Sequence, residues 1–427
     1  MPTVSENIAE WVNSTGYGQI PQEIIHIAKR SILDFIGVAL AGSIQSEARI
    51  VKKYISQVKA AEQSTVIGLG IKTSSVEAAF ANGLIGHCLD YDDLLRPAAG
   101  GGAPHITAAI LPAALAIAER ENNTGEELIT GYVLGCEVTY RVGCGIDPTH
   151  YNLGWHSTET EGIFGATVAA SKLLGLCDEE LVYALGIAGS EASGLQENFG
   201  TMTKPFHAGQ AAAKGVRASM LAKLGFNSSK TIFEGKTGFC NVFSKNSKIS
   251  EITKNLGQPF GLTQACLKLY PCCAGSHPAI CATLELAKQY DIEVRDIEQI
   301  EVKCGPQTVS LLTYDKPKTA LEAKFSMQFP LALALLARRV ILQEFTTEKV
   351  NEPEIIALMQ RIKLVPTPEL KQASTTDRPQ VVEITLKDGR QLSKRCDFPP
   401  GTPQNPLSDE QLLAKYRSCA RLVLPEK

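Results

Sequence analysis

The chain has 427 residues, 44% of them hydrophobic and 20% charged, with a formal net charge of −3. That length exceeds what one core usually fills, so two domains, or one large domain with a lid, are expected. The slight acidity gives no field for gathering nucleic acid and excludes that class of partner.

The N-terminal MPTVSENIAEWVNS lacks the basic-then-apolar order of a secretory signal, which points to a cytoplasmic protein. Up to about residue 264, apolar residues recur at three- and four-residue spacing and predict helices. The clearest cases are SILDFIGVALAG, SVEAAFANGLIGHCLD, ITAAILPAALAIAE, LITGYVLGCEVTYRVG and AAAKGVRASMLAKLGF. The longest apolar run, AAILPAALAIA, is too short for a bilayer and contains Pro112, so no membrane partner is expected. Thr124 with Glu127 and Ser408 with Gln411 have the capping-box form, marking two helix starts. From about residue 265 the texture changes. IEQIEVKCG, RIKLVPTPE and VVEITLKDGRQLSKR alternate apolar with polar, and Asp388-Gly389 has the chemistry of a hairpin turn. Helical patterns flank these runs in HPAICATLELAKQY and FPLALALLARRVI, and a last helix starts near Ser408. The predicted fold is therefore mainly α. A large all-helical domain built from both chain ends, 1–264 and 397–427, carries a smaller α+β lid domain, 265–396. Twelve cysteines without a single CxxC pair read as reduced thiols, neither a disulfide framework nor a zinc cage.

Four blocks carry candidate chemistry. GHCLDYDDLLRPAAGGGAPHIT brings together His87, Asp90, Asp92, Asp93, the Gly100–Gly102 triplet and His105. A phosphate loop would need the lysine and hydroxyl of GxxxxGK[ST], which do not follow the triplet. A calcium loop would need its alternating ligands and distal glutamate, so no metal is expected. Asp92 and Asp93, taken singly, read as residues that cap or solvate a helix end. GWHSTETEG presents His156, and GTMTKPFHAGQAAAKG presents Lys204 and His207 at a loop-to-helix junction. ACLKLYPCCAGSHPAI presents Lys268, Tyr270, the Cys272-Cys273 pair and His277 at the change of domain, where small-molecule clefts form. Cys273 is either a nucleophile activated by a nearby histidine or a buried structural thiol. Imidazoles and isolated lysines gathered in these blocks suit a small polycarboxylate whose charges need pairing.

Taken in order, RSILDFIGVALAG, GHCLDYDD, GWHSTETEG, GTMTKPFHAGQAAAKG, KLYPCCAGSHPAI, EAKFSMQF, LKDGR and GTPQNPLSDEQL resemble the MmgE/PrpD family along nearly the whole chain. The resemblance implies a cofactor-free site and a homodimer. Carried over by motif, it makes Asp90, His105, His156, Lys204 and Lys268 the catalytic candidates. His207, Tyr270, Cys273 and His277 are the substrate-binding candidates. It implies proton abstraction next to a carboxylate of a di- or tricarboxylic acid. His105 and His156 would handle protons, Asp90 would orient an imidazole, and the two lysines would bind carboxylates. Leu94, Cys273 and Phe329 depart from the decarboxylase pattern. That places 2-methylcitrate-dehydratase-like dehydration ahead of epimerisation of an iminodisuccinate-like acid or cis-aconitate-type decarboxylation. A non-catalytic carboxylate-binding protein is the alternative of another class.

Overall fold

The computed structural model describes residues 2–96, 102–370 and 378–425. It divides into two compact units. One comprises residues 1–198, 202–267 and 408–427; the other comprises 199–201 and 268–407.

The first unit is helical, as its spacing predicts. Its centre is formed by Ser75–His87, Ile106–Glu121, Gly125–Gly145, Gly162–Leu174 and Thr203–Lys223. Residues 78–87 are all buried, so the Ser75–His87 helix is a core element with no solvent face. Small residues set its distance from Thr203–Lys223. A Cβ added to Gly83 would lie 2.8 Å from Gly209 Cα, and one added to Gly209 would lie 2.5 Å from the Phe80 carbonyl oxygen. This backbone approach brings the C-terminal end of one helix, with His87, beside the N-terminal turns of the other, with Lys204 and His207. Both capping boxes are formed, Thr124 with Glu127 and Ser408 with Gln411. The C-terminal helix Asp409–Ala420 packs on Gln22–Gly42 at Gly37, where a Cβ would lie 2.9 Å from the Tyr416 ring. Two short antiparallel pairs complete the unit: β1 (Ser64–Val66) with β2 (Ile71–Thr73), and β3 (Leu94–Leu95) with β4 (Ala265–Cys266).

The second unit holds a four-stranded sheet of order β6-β5-β7-β8, made from β5 (Ile297–Cys304), β6 (Ile362–Pro366), β7 (Gln380–Leu386) and β8 (Gln391–Cys396). β5 pairs parallel with β6 and antiparallel with β7, and β7 with β8 is the hairpin expected around Asp388-Gly389, with Gly389 at φ 87. Ile297, Ile300, Val302 and Cys304 of β5 turn inward, while the residues between them are partly or fully exposed. The Gln328–Leu336 helix is buried almost throughout and ends before Arg338, which takes the left-handed conformation at φ 56. Among the described residues, no helix is long and apolar enough to cross a membrane.

Candidate active site

Four segments of the helical unit converge on a buried cluster. His87 is the last residue of its helix, and the chain leaves through a turn closed by the Asp90 N–H donating to the His87 carbonyl at 3.0 Å. Asp90 has φ 50, a left-handed conformation that aspartate tolerates better than most residues. Beyond this turn Asp92 and Asp93 meet different partners, Asp92 the His87 and His105 imidazoles and Asp93 Thr107. His105 is the N-cap of Ile106–Glu121, and its backbone N–H donates to Thr158 Oγ1 at 3.1 Å. His156 is the N-cap of the short Ser157–Thr160 helix, with its N–H donating to the Gly194 carbonyl at 3.0 Å. Gly194 has φ 110, and a Cβ there would lie 2.8 Å from Glu159 Oε2 and 3.4 Å from the His207 ring, so glycine is required.

Asp92 is the hub. Its oxygens lie 2.9 and 3.0 Å from His87 Nδ1, and Oδ2 lies 3.1 Å from His105 Nδ1. On the far side of His87, Lys204 Nζ stands 2.9 Å from Nε2 and also pairs with Asp90. Asp90 Oδ1 is 3.8 Å from His105 Nε2. His156 and His207 face each other through their Nδ1 atoms at 2.9 Å. All seven side chains belong to buried residues.

These distances fix protonation. An ammonium has only donors, so His87 Nε2 accepts from Lys204 and His87 Nδ1–H donates to Asp92. Burial lowers the His87 pKa to about 3, with Lys204 and His105 adding to the effect and Asp92 opposing it, so this ring is neutral. Burial alone would raise Asp92, but the two imidazoles facing it outweigh that and hold the carboxyl well below its ordinary value. An ionised Asp92 takes Nδ1–H from His105 as well, which places the His105 lone pair on Nε2. Burial, then Lys204, lowers His156 well below its ordinary value, and burial, then His87, brings His207 to about 4. In this neutral pair one Nδ1–H donates and the other Nδ1 accepts, which is the geometry of a proton relay.

His87, Asp92 and His105 present ligand atoms within 4.8 Å of one another, a grouping of the size that could hold a metal ion. The Lys204 ammonium on His87 and the hydrogen-bond distances from Asp92 to both Nδ1 atoms commit these same atoms to hydrogen bonds.

The sequence matches the MmgE/PrpD N-terminal domain over residues 6–252 and the MmgE/PrpD C-terminal domain over residues 270–427. The chain belongs to the MmgE/PrpD family. It is similar to a cis-aconitate decarboxylase of Mus musculus, 28% identical over 444 residues that cover 99% of this chain and 88% of the relative. A cis-aconitate decarboxylase of Aspergillus terreus is 27% identical over 448 residues, 99% of this chain and 90% of the relative. A mitochondrial 2-methylcitrate dehydratase of Yarrowia lipolytica is 22% identical over 429 residues, 94% of this chain and 80% of the relative. With these relatives, the chain is an enzyme of the lyase type.

Of the residues singled out in this MmgE/PrpD sequence, Asp90, His105, His156, Lys204 and His207 come together in the helical unit. Lys268, Tyr270, Cys273 and His277 lie in the second unit. There Lys268 is buried, Tyr270 stacks edge-on with His277 at 5.2 Å, and His277 Nε2 lies 3.2 Å from the Cys272 carbonyl. The Cys272 thiol lies 3.3 Å from Ser276 Oγ, and the Cys273 N–H donates to the Lys324 carbonyl at 2.8 Å. Phe329 is fully buried against Phe345. Gly102 fits only without a Cβ, which would fall on Ser157; Gly100 and Gly101 lie outside the described residues.

One expectation is corrected. Asp92 and Asp93 do not solvate a helix end: Asp92 is 0% exposed and Asp93 1%. Asp92 lies against both imidazoles, and Asp90 pairs with Lys204 and stands 3.8 Å from His105 Nε2. The helix ends at His87, three residues earlier than the apolar spacing implies, and that frees the two aspartates to face inward. His87 and Asp92 are the two members of the cluster to which sequence reasoning gave no catalytic or binding role.

Asp93 holds the first turn of the helix that His105 caps. Its Oδ1 accepts from the Thr107 N–H at 3.1 Å, and its Oδ2 lies 2.6 Å from Thr107 Oγ1, which is 2.6 Å from the Tyr132 hydroxyl. Burial raises Asp93 to about 7, with Asp92 and Asp34 pushing the same way against the Thr107 hydrogen bonds. The folded carboxyl thus keeps its proton to about pH 7, whereas the unfolded chain loses it near pH 4. More protons are bound to the folded state in that window, so this group's contribution to stability falls as pH rises through it. Asp93→Asn has the shape of the protonated acid and does not titrate. Urea unfolding at pH 5 and pH 8 is expected to show the variant gaining on the wild type by on the order of 2 kcal/mol between the two. A difference independent of pH would mean that Asp93 is ionised in the folded protein.

Proposed function

We propose that the enzyme removes a proton from a carbon next to a carboxylate of a small di- or tricarboxylic acid and then expels water from the neighbouring carbon. The observation that supports this is the buried Asp92 carboxylate, shared at 2.9–3.1 Å between His87 Nδ1 and His105 Nδ1. It makes His105 Nε2 the basic nitrogen, and Asp90 at 3.8 Å is close enough to stabilise the imidazolium formed when that nitrogen takes a proton. Negative charge then develops on the substrate carboxylate, where the Lys204 ammonium is the charge partner. The His105 imidazolium then gives that proton to the departing hydroxide, which leaves as water, so one proton passes from carbon to oxygen, an unsaturated acid remains and His105 is neutral again.

The relatives named cis-aconitate decarboxylases support a second reading, in which a carbon–carbon bond breaks, carbon dioxide leaves and the imidazolium protonates the resulting carbanion. One experiment separates the two. Purified enzyme is incubated in deuterated water with 2-methylcitrate, citrate and cis-aconitate and followed by proton NMR. Dehydration is expected to give unsaturated acids from the hydroxy acids, with deuterium entering next to a carboxylate. Release of carbon dioxide from cis-aconitate, with the hydroxy acids untouched, would replace the first reading by the second. No turnover and no exchange with any of the three acids would defeat both.

A further inference from the structure

The far C-terminus reaches the candidate active site from behind. Lys415, on the Asp409–Ala420 helix, is buried, and its Nζ donates to the Tyr91 carbonyl at 2.7 Å. The same ammonium donates to Asp34 Oδ2 at 3.0 Å, lies 2.7 Å from Oδ1, and stands 4.0 Å from the centre of the Tyr91 ring. Tyr91 is the residue between Asp90 and Asp92. Its carbonyl and the Asp92 N–H belong to one planar peptide unit, so a partner that fixes the carbonyl fixes the direction in which the Asp92 backbone sets out. The turn needs such a restraint, because Asp90 holds a left-handed conformation that an aspartate does not favour by itself.

We propose that Lys415, paired with Asp34, is a positioning group of this enzyme: it clamps the Asp90–Asp92 turn through the Tyr91 carbonyl and so holds the Asp92 carboxylate where it sets the tautomers of His87 and His105. The inference rests on the reading of His105 as the base. Three different kinds of contact converge on one ammonium: an ion pair, a carbonyl hydrogen bond and a ring face. An ordinary buried ion pair would need only the first. The partner is also the peptide unit that leads into the hub of the histidine cluster.

Removing Lys415 alone would strand a buried carboxylate and threaten folding. The double variant Asp34→Asn/Lys415→Met removes both charges together. With histidine labelled by nitrogen-15, NMR of the wild type is expected to show His87 and His105 as Nδ1–H tautomers. In the double variant the His105 signal should move toward the Nε2–H form that free imidazole favours, while His87 is held by Lys204, and kcat should fall about 10–100-fold with KM little changed. Lys415→Arg keeps the charge, and with it the fold, but its longer planar head does not fit where the ammonium stands; the same two readouts should move in it by less. The tautomer spectrum judges the clamp whether or not the wild type turns over, so a wild type without activity defeats the functional reading alone. A folded variant of either kind with wild-type tautomers, or with wild-type kcat in an active enzyme, overturns the clamp.

Discussion

Replacing His105 by glutamine is expected to lower the rate of proton exchange next to the substrate carboxylate by about 10²–10⁴-fold, the usual contribution of one well-placed acid/base group. The fold should survive. His105 lies at a helix N-cap where its backbone, not its side chain, makes the bond to Thr158, and a glutamine amide can still donate to Asp92 Oδ2. What glutamine lacks is the basic nitrogen. His87→Gln is the informative control, because His87 is neutral with both ring nitrogens already engaged by Asp92 and Lys204. Its loss should disturb the position of Lys204 and leave exchange measurable. Deuterium incorporation read by NMR, with circular dichroism as the check on folding, distinguishes the two. A folded His105→Gln enzyme that exchanges at the wild-type rate would move the base elsewhere, with His156 next in line.

Much of this architecture is legible in the chain because it is written in local patterns. Apolar spacing marks the Gly125–Gly145 helix, Thr124 and Glu127 mark where it starts, and Asp388-Gly389 marks the hairpin of β7 and β8. The two-residue pairing of Leu94–Leu95 with Ala265–Cys266 escapes such reading, since neither stretch is long enough to show a period and the partners are remote in sequence. The site divides in the same way. His105, His156, Lys204 and His207 stand out as imidazoles and a lysine in sparse, Gly-rich surroundings, and the fold does bring them together. Depth is what a sequence does not print. Asp92 and Asp93 look like solvated carboxylates until the early end of the Ser75–His87 helix turns one toward two imidazoles and the other toward Thr107. Lys415 gives no local signal at all, since it stands in a terminal helix whose one other basic residue, Arg417, is an ordinary exposed group; its meaning depends on a contact 324 residues away.

Asp92→Asn should be as damaging as the loss of the base itself, and the tautomers explain why. Two N–H groups, from His87 Nδ1 and His105 Nδ1, now meet the two carboxylate oxygens of Asp92. An amide offers one acceptor oxygen, and its other end is a donor. His87 cannot change tautomer to suit, because its Nε2 must remain an acceptor for the Lys204 ammonium at 2.9 Å. It therefore keeps the amide oxygen, and His105 is left facing an NH₂ group. His105 must then accept at Nδ1 and carry its proton on Nε2, the nitrogen from which the substrate proton is to be taken. A catalytic imidazole held in the wrong tautomer by such a carboxylate-to-amide change loses about 10⁴-fold in kcat. The variant also removes the negative charge that balances a protonated His105, which acts in the same direction. Nitrogen-15 spectra of Asp92→Asn are expected to show His105 converted to the Nε2–H form while His87 stays Nδ1–H, with kcat down by roughly that factor. If kcat stays within threefold of the wild type, or if both histidines keep their tautomers, Asp92 is not the group that prepares His105 for proton transfer.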